Sequence, residues 1–241
     1  MKLSISRHLI HAAAVLSSLA VCSAVFGCDS ENAFEVLEPP NQKGKGEAAL
    51  ARGDHSAAIS SLESALRDNP NDIEIRKMLA NAYMAKSGVN TIEILQKISG
   101  DQDKTDWGSL IAAMPDGSSA NQAGLTRAVA LLEAIPPESR TDDERYQLAM
   151  AQTSLAVVTA KKYGANEQGQ VPPEQVGQIS DEDASIIVDQ LSGAADNLGG
   201  LTQGGADTAS TKIDAVVTQI GAAEGEDQGA KVRSFLSRDR P

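Results

Sequence analysis

Residues 53–72, GDHSAAISSLESALRDNPND, set the fold class of this chain. Ala58, Ile59, Leu62, Ala65 and Leu66 follow the i, i+1, i+4, i+7, i+8 spacing that gathers apolar side chains on one face of a helix. The alanines at 58 and 65 keep that face thin, so a second helix can approach closely. Gly53 and Asp54 break the chain before the run, and Pro70 is disfavoured in a helix interior after it. Asn71 or Asp72 can then cap a following helix by accepting its free amide hydrogens. The spacing predicts that helix over residues 73–86, with Ile75, Met78, Leu79, Ala82 and Tyr83 on one face. Two amphipathic helices joined by a tight turn make a helical hairpin.

The same stretch resembles the second half of a tetratricopeptide repeat. In that 34-residue pattern a helix-breaking Gly-Asp turn leads into a helix with small or apolar residues at set intervals, and a proline near the end starts the next repeat. Gly53, Ala58, Leu62, Ala65 and Pro70 fall where the family places them, and Leu79, Ala80 and Tyr83 match first-helix positions of the following repeat. The resemblance implies an all-α fold, a short helical-hairpin solenoid with degenerate repeats. The helix before Gly53, about residues 46–52, is short and fits the pattern poorly. A lone helical pair cannot bury its apolar face, so neighbouring helices are expected.

Weaker copies of the pattern follow. Two short amphipathic pieces, residues 90–98 and 105–114, read as an insertion spanning 87–115. Leu125, Ala128, Val129, Leu132 and Ile135 then repeat the helix face until Pro136-Pro137 stops it. Thr141-Asp142-Asp143-Glu144 supplies a capping box for a helix over 142–163. Together these give a repeat-like domain over residues 46–163. Pro172-Pro173 and Ser180-Asp181-Glu182-Asp183 precede a helix bearing Ile186, Ile187, Leu191, Ala194 and Leu198. Another, over 208–222, uses Ile213, Val216, Val217 and Ile220. Residues 164–222 depart from the repeat and are expected to pack on the solenoid or cap it, and residues 223–241 read as a loose polar tail.

The amino terminus has a different character. Lys2 and Arg7 precede a run over residues 9–27 that is apolar or small except at His11, the pattern of an export signal. It ends in Val25-Phe26-Gly27-Cys28, which resembles the lipobox of bacterial lipoproteins: an aliphatic residue three before the cysteine and a small one directly before it. That resemblance implies cleavage after Gly27 and lipid on Cys28, with acyl chains as the anchor. A simple cleaved signal and an uncleaved membrane helix are the alternatives. Asp29 resembles the signal that retains enterobacterial lipoproteins in the inner membrane, a rule other lineages do not all follow. Residues 28–45, with Pro39-Pro40 and few apolar side chains, read as a flexible tether.

Composition removes several functions. The formal net charge is -12 over 241 residues. Loss of the first 27, which hold two basic residues and no acid, makes the remainder more acidic still. Nucleic acid is not the expected partner, because phosphate binding needs a concentrated basic face and the sequence shows none. Lipid on Cys28 would leave the processed chain no second thiol, so packing alone must stabilise it. His55 would be its only histidine, at a repeat position that often holds tyrosine, and it reads as a packing residue at a helix start. No HExxH, GxSxG or GxxxxGK[ST] motif occurs. The acidic loop at Asp101, Asp103, Thr105 and Asp106 lacks the glycine and glutamate of a calcium loop. Arg52-Gly53-Asp54 is explained by the repeat turn. Trp107 reads as a buried anchor beside Leu110, Ile111 and Met114.

A repeat without chemistry points to binding. The expectation is a periplasmic scaffold, anchored by lipid, that holds an envelope protein or peptide and needs no catalytic residue, metal or cofactor. In the family the groove is lined by the first helix of each pair, which by matching positions implies Glu47, Lys77, Asn81 and Met84. The alternative is a ligand-handling companion of a transporter that uses a solute-binding protein, with the insertion lining a cavity.

Overall fold

The computed structural model describes residues 41–91, 94, 107–201 and 205–238, and these residues are helical with no strand among them. The export segment, the lipobox, nearly all of the tether and the acidic loop at 101–106 lie outside them. From Asn41 onward the chain forms one compact unit.

Helix α1 (Gln42–Ala51) starts earlier than the sequence suggests, because the Asn41 side chain caps it by accepting the Gly44 amide at 2.9 Å. The last four residues of the expected tether are therefore helix. Gly53, at φ +73°, makes the turn into α2 (His55–Asp68), a conformation that L side chains resist. Asp54 caps α2 through the Ala57 amide at 3.0 Å. Asp72 does the same for α3 (Ile73–Lys86) through the Ile75 amide at 3.0 Å. The stripes read from the sequence are mutually buried: Leu62 and Leu79 are both 0% exposed, on helices packed against each other. Gly46 allows α1 to sit directly on α2, since a β-carbon there would fall 2.5 Å from Leu62 Cγ.

The chain continues through α4 (Trp107–Ala113), α5 (Ser119–Glu133), a single 3₁₀ turn at Pro137–Ser139 and α6 (Asp142–Lys161). Then come the short α7 (Pro173–Val176), α8 (Asp181–Leu198), α9 (Ala206–Gly221) and α10 (Gln228–Ser237). Setting aside α4 and α7, each long helix packs on the next: α1 on α2, α2 on α3, α3 on α5, α5 on α6, α6 on α8, α8 on α9 and α9 on α10. That succession is a stack of helical hairpins, α1/α2, α3/α5 and α6/α8, in which each pair buries the face its neighbour leaves open.

Helix α6 is the centre. Every residue from Leu148 to Ala160 is buried, so it shows no single apolar stripe. Alanines at 149, 151, 156 and 160 admit neighbours from all sides. Its interior hydroxyls are satisfied within the helix: Thr153, Ser154 and Thr159 donate to the carbonyls of Ala149, Met150 and Leu155 at 2.8, 2.7 and 2.8 Å. Its capping box forms as the sequence indicates, with the Thr141 amide donating to Glu144 Oε2 at 2.7 Å. The partner α8, placed outside the repeat by its sequence, makes the most extensive helix pair in the fold with α6.

The carboxyl end corrects the sequence reading. Residues 228–237 are a helix, not a loose tail, capped by Asp227 through the Ala230 amide at 2.7 Å. Val232, Phe235 and Leu236 are its few apolar residues, but their i, i+3, i+4 spacing puts all three on one buried face. A second tie is the Val171 amide, which donates to the Leu236 carbonyl at 2.8 Å. Phe235 meets Trp107 edge-on, ring centroids 6.1 Å apart, and the buried Trp107 indole donates to the Gly169 carbonyl at 3.2 Å. Trp107 thus anchors the insertion, as its neighbours suggest, and also joins it to α10.

Candidate partner-binding surface

The first helices of the three hairpins, α1, α3 and α6, carry the surface that the repeat pattern nominates. Glu47 on α1 and Asn81 on α3 are exposed. Lys77, one turn before Asn81, is half-buried and reaches across to α6. Its Nζ lies 3.0 Å from Glu144 and 3.7 Å from Glu74. The Gln147 side chain donates to the Lys77 carbonyl at 3.3 Å, a second link between α3 and α6.

The charge states of this pair reinforce each other. A hydrogen bond to Glu144 holds the Lys77 ammonium above its ordinary pKa of 10.5, against the opposing effect of burial. Burial pushes the Glu144 carboxyl up, but hydrogen bonds from Thr141 and Lys77 outweigh it and leave the group below its ordinary value. Glu144 therefore has two functions, closing the α6 capping box and fixing Lys77.

Met84 does not join this surface. It is 2% exposed and belongs to the core. The chain reverses directly after it: Gly88 adopts φ +79°, and the Val89 amide donates to the Met84 carbonyl at 3.1 Å. The departure of the insertion thus ends the accessible face of α3 one turn beyond Asn81.

The middle and end of α6 are covered as well. Helix α4 packs on it, and Lys161 Nζ donates to the carbonyls of Ile111 and Met114 at 3.2 and 2.6 Å. Gly117 lies so close to the end of α6 that a β-carbon would fall 2.1 Å from the Lys162 nitrogen. What remains open is a patch on α1, α3 and the first turns of α6. Arg145 there donates to the Gly199 carbonyl at 2.7 Å, and Tyr146 is half-buried, with its phenol pKa raised by burial. Gln147 and Tyr146 are not singled out by the sequence, and Glu144 is singled out only as part of the capping box. The available signal was that α6 occupies the same place in its hairpin as α3 does.

The repeat-defining residues fall into two groups. Ala58, Leu62, Ala65 and Leu79 are buried, whereas Gly53 and Pro70 are exposed at the turns. Tyr83 is half-buried and donates from its hydroxyl to Glu63 Oε1 at 2.6 Å. His55 opens α2, its buried Nδ1 without a hydrogen-bond partner among the described residues. The Asp54 carboxylate of the Arg-Gly-Asp sequence is engaged in capping. Among the described residues no group of three or more histidines, cysteines or acids could hold a metal ion. No described helix is long and apolar enough to cross a membrane.

Stacked hairpins whose first helices share one face define a helical-repeat protein. Residues 49–87, from late α1 through α2 and α3 to the residue after it, match the tetratricopeptide-repeat family. Such repeats are in general non-catalytic modules that bind other proteins. No curated protein and no solved structure matches the chain.

Proposed function

We propose that this protein is a membrane-anchored scaffold of the bacterial cell envelope, tethered by lipid on Cys28, that binds a protein or peptide through the patch around Glu47, Lys77 and Asn81. The observation that carries the reading is the repeat itself: a module for binding proteins, with its first-helix face open on α1 and α3. Lys77 is held by Glu144 and Gln147, so part of the patch is fixed before any partner arrives. A pre-ordered surface loses less conformational entropy on binding. The lipobox resemblance at Val25 to Cys28 supports the anchor, and with it the periplasmic side and the envelope partner.

Two experiments test this. Growth with an alkyne-labelled fatty acid should tag the wild-type chain and place it in the membrane fraction, while Cys28→Ser should be untagged and released. Purification of the tagged protein from detergent-solubilised membranes should recover an envelope protein, and Glu47→Arg with Asn81→Arg should lose it. An untagged wild type would remove the anchor, and an unchanged catch from the double variant would remove the site. The interaction reading is preferred to ligand handling because Trp107, Leu110, Ile111 and Met114 of the insertion are all packed and buried.

A further inference from the structure

Two hollows open on the far side of α3 from Lys77 and Asn81. Helix residues turn about 100° each, so Leu79 and Tyr83 stand about 200° around from Lys77 and Asn81. One hollow, about 390 Å³, lies between α3 and α5 and is lined by Tyr83, Lys86, Ala123 and Arg127, among others. The other, about 360 Å³, lies between α2 and α5, with Glu63, Leu66, Arg67, Leu79 and Arg127 in its wall. They meet at Arg127. The hydrogen bond from Tyr83 to Glu63, 2.6 Å long, also links the lining of one to the lining of the other.

The charge of this groove runs against that of the protein. The chain carries -12, yet three cations, Arg67, Lys86 and Arg127, border the hollows with Glu63 as the single acid in their walls. One oxygen of Glu63 is already taken by Tyr83. All three cations are exposed, and none makes an ion pair with a described residue. Between them stands an apolar wall, half-buried Leu66 over the buried Leu79. We propose that this groove is a second docking site, distinct from the α1/α3 patch, for an acidic segment of a partner protein that sets an apolar side chain against Leu66 and carboxylates against Arg67, Lys86 and Arg127.

Several features select a peptide over other anions. Arginine presents paired donors matched to a carboxylate. The apolar wall offers a phosphate nothing, and the acidity of the rest of the chain repels a nucleic acid backbone. The groove is also built of helix surfaces that are fixed by their own packing. Two binding surfaces on opposite sides of α3 let one protein join two partners, or grip one partner at two points.

The probe is a fluorescein-labelled hexapeptide of alternating glutamate and leucine, titrated into the full chain by anisotropy at low salt. Saturable binding is expected, weakened about tenfold by Arg67→Gln with Arg127→Gln, as for the loss of two partly screened charge contacts. Ala123→Trp should weaken it too, by filling the first hollow without altering charge. Lys45→Gln with Arg52→Gln removes the same charge elsewhere and should leave affinity within twofold. Both arginines in the groove are exposed, and unchanged thermal melting of each variant shows that the fold is intact. Equal affinity of wild type and Arg67→Gln with Arg127→Gln, equal binding of a lysine-leucine peptide, equal loss from the Lys45 and Arg52 control, or no saturable binding at millimolar peptide would each overturn the proposal. Failure here with a partner still captured at the Glu47 and Asn81 patch leaves the scaffold reading standing.

Discussion

Lys77 Nζ lies 3.0 Å from the Glu144 carboxylate, and this ion pair ties the first helix of one hairpin to the first helix of the next across a separation of 67 residues. The arrangement is half-sheltered and supported by the Thr141 cap, unlike an isolated surface pair. Glu144→Ala is expected to cost about 1–2 kcal/mol, the range for a lost helix cap combined with a lost charge-assisted contact. Urea denaturation at pH 7 measures it, and Lys77→Met should lose less because the capping box survives.

The pair also gives stability a pH window. The folded-state pKa of Glu144 is depressed, so its contribution is present above the ordinary carboxylate range and fades as pH falls through the lowered folded value. For Lys77 the folded value is raised: the contribution is present below the ordinary 10.5 and is lost as pH rises through the folded value. Asp183 behaves like Glu144, its carboxyl opposed by burial but held down by Lys162, Tyr163 and Gln122. Denaturation between pH 7 and 3 should show an acid loss that is smaller in Glu144→Gln than in wild type. Equal acid slopes would count against the pair.

Asp183, itself buried, closes a partly buried network at the start of α8. It accepts from Lys162 Nζ at 2.7 Å, from the Tyr163 hydroxyl, and from Gln122 on α5 at 3.4 Å. Asp183→Ala should destabilise by about 1–3 kcal/mol, since it leaves the buried Tyr163 hydroxyl without its acceptor while the exposed Lys162 ammonium turns to water. A thermal shift within one degree of wild type would show that water replaces the carboxylate at no cost.

Gly46 and Leu62 should behave as a coupled pair. Gly46→Ala puts a methyl group 2.5 Å from Leu62 Cγ, and overpacking of this kind costs about 1–3 kcal/mol. Leu62→Ala alone should cost about 2–5 kcal/mol. The double variant should lose less than the sum, because the smaller side chain makes room for the methyl. Simple additivity in denaturant titrations would mean that α1 does not press on α2 at this point.

The carboxyl-terminal helix is open to a direct optical test. Trp107 is the only tryptophan, and it packs edge-on against Phe235. Phe235→Ala should cost about 3–5 kcal/mol. It should also shift the emission of the folded protein to longer wavelength as water reaches the indole. Unaltered emission together with unaltered stability would return residues 228–237 to the status of a tail.

What the sequence discloses is what a local pattern can carry. The stripes through Ala58, Leu62 and Ala65, and through Ile75 and Leu79, are complete within single helices, so the first repeat is legible in the sequence, with Asp72 as one of two candidate caps. The capping box at Thr141 and Glu144 is equally local. Burial from a distance is not. Met84 lies in register with Lys77 and Asn81, but it is buried where the chain departs from α3 into the insertion. Helix α6 conceals its central place because a helix covered on every side has no periodic stripe to find. The helix at 228–237 was missed for the opposite reason: three apolar residues in a polar stretch suffice when Trp107 and Val171, far away in the chain, wait to meet them. For the binding patch, Lys77 was legible as a repeat position, whereas its partner Glu144 was legible only as a cap.

The central claim, that the first-helix face of this stack receives a partner, is most directly tested by photo-cross-linking in intact cells. A benzophenone-bearing residue placed at Glu47 or at Asn81 should give a discrete adduct with an envelope protein. The same residue at Ser60 on α2 or Asp189 on α8, both exposed on second helices, should not give that adduct. Adducts of equal yield at all four positions, or none at Glu47 and Asn81, would contradict it.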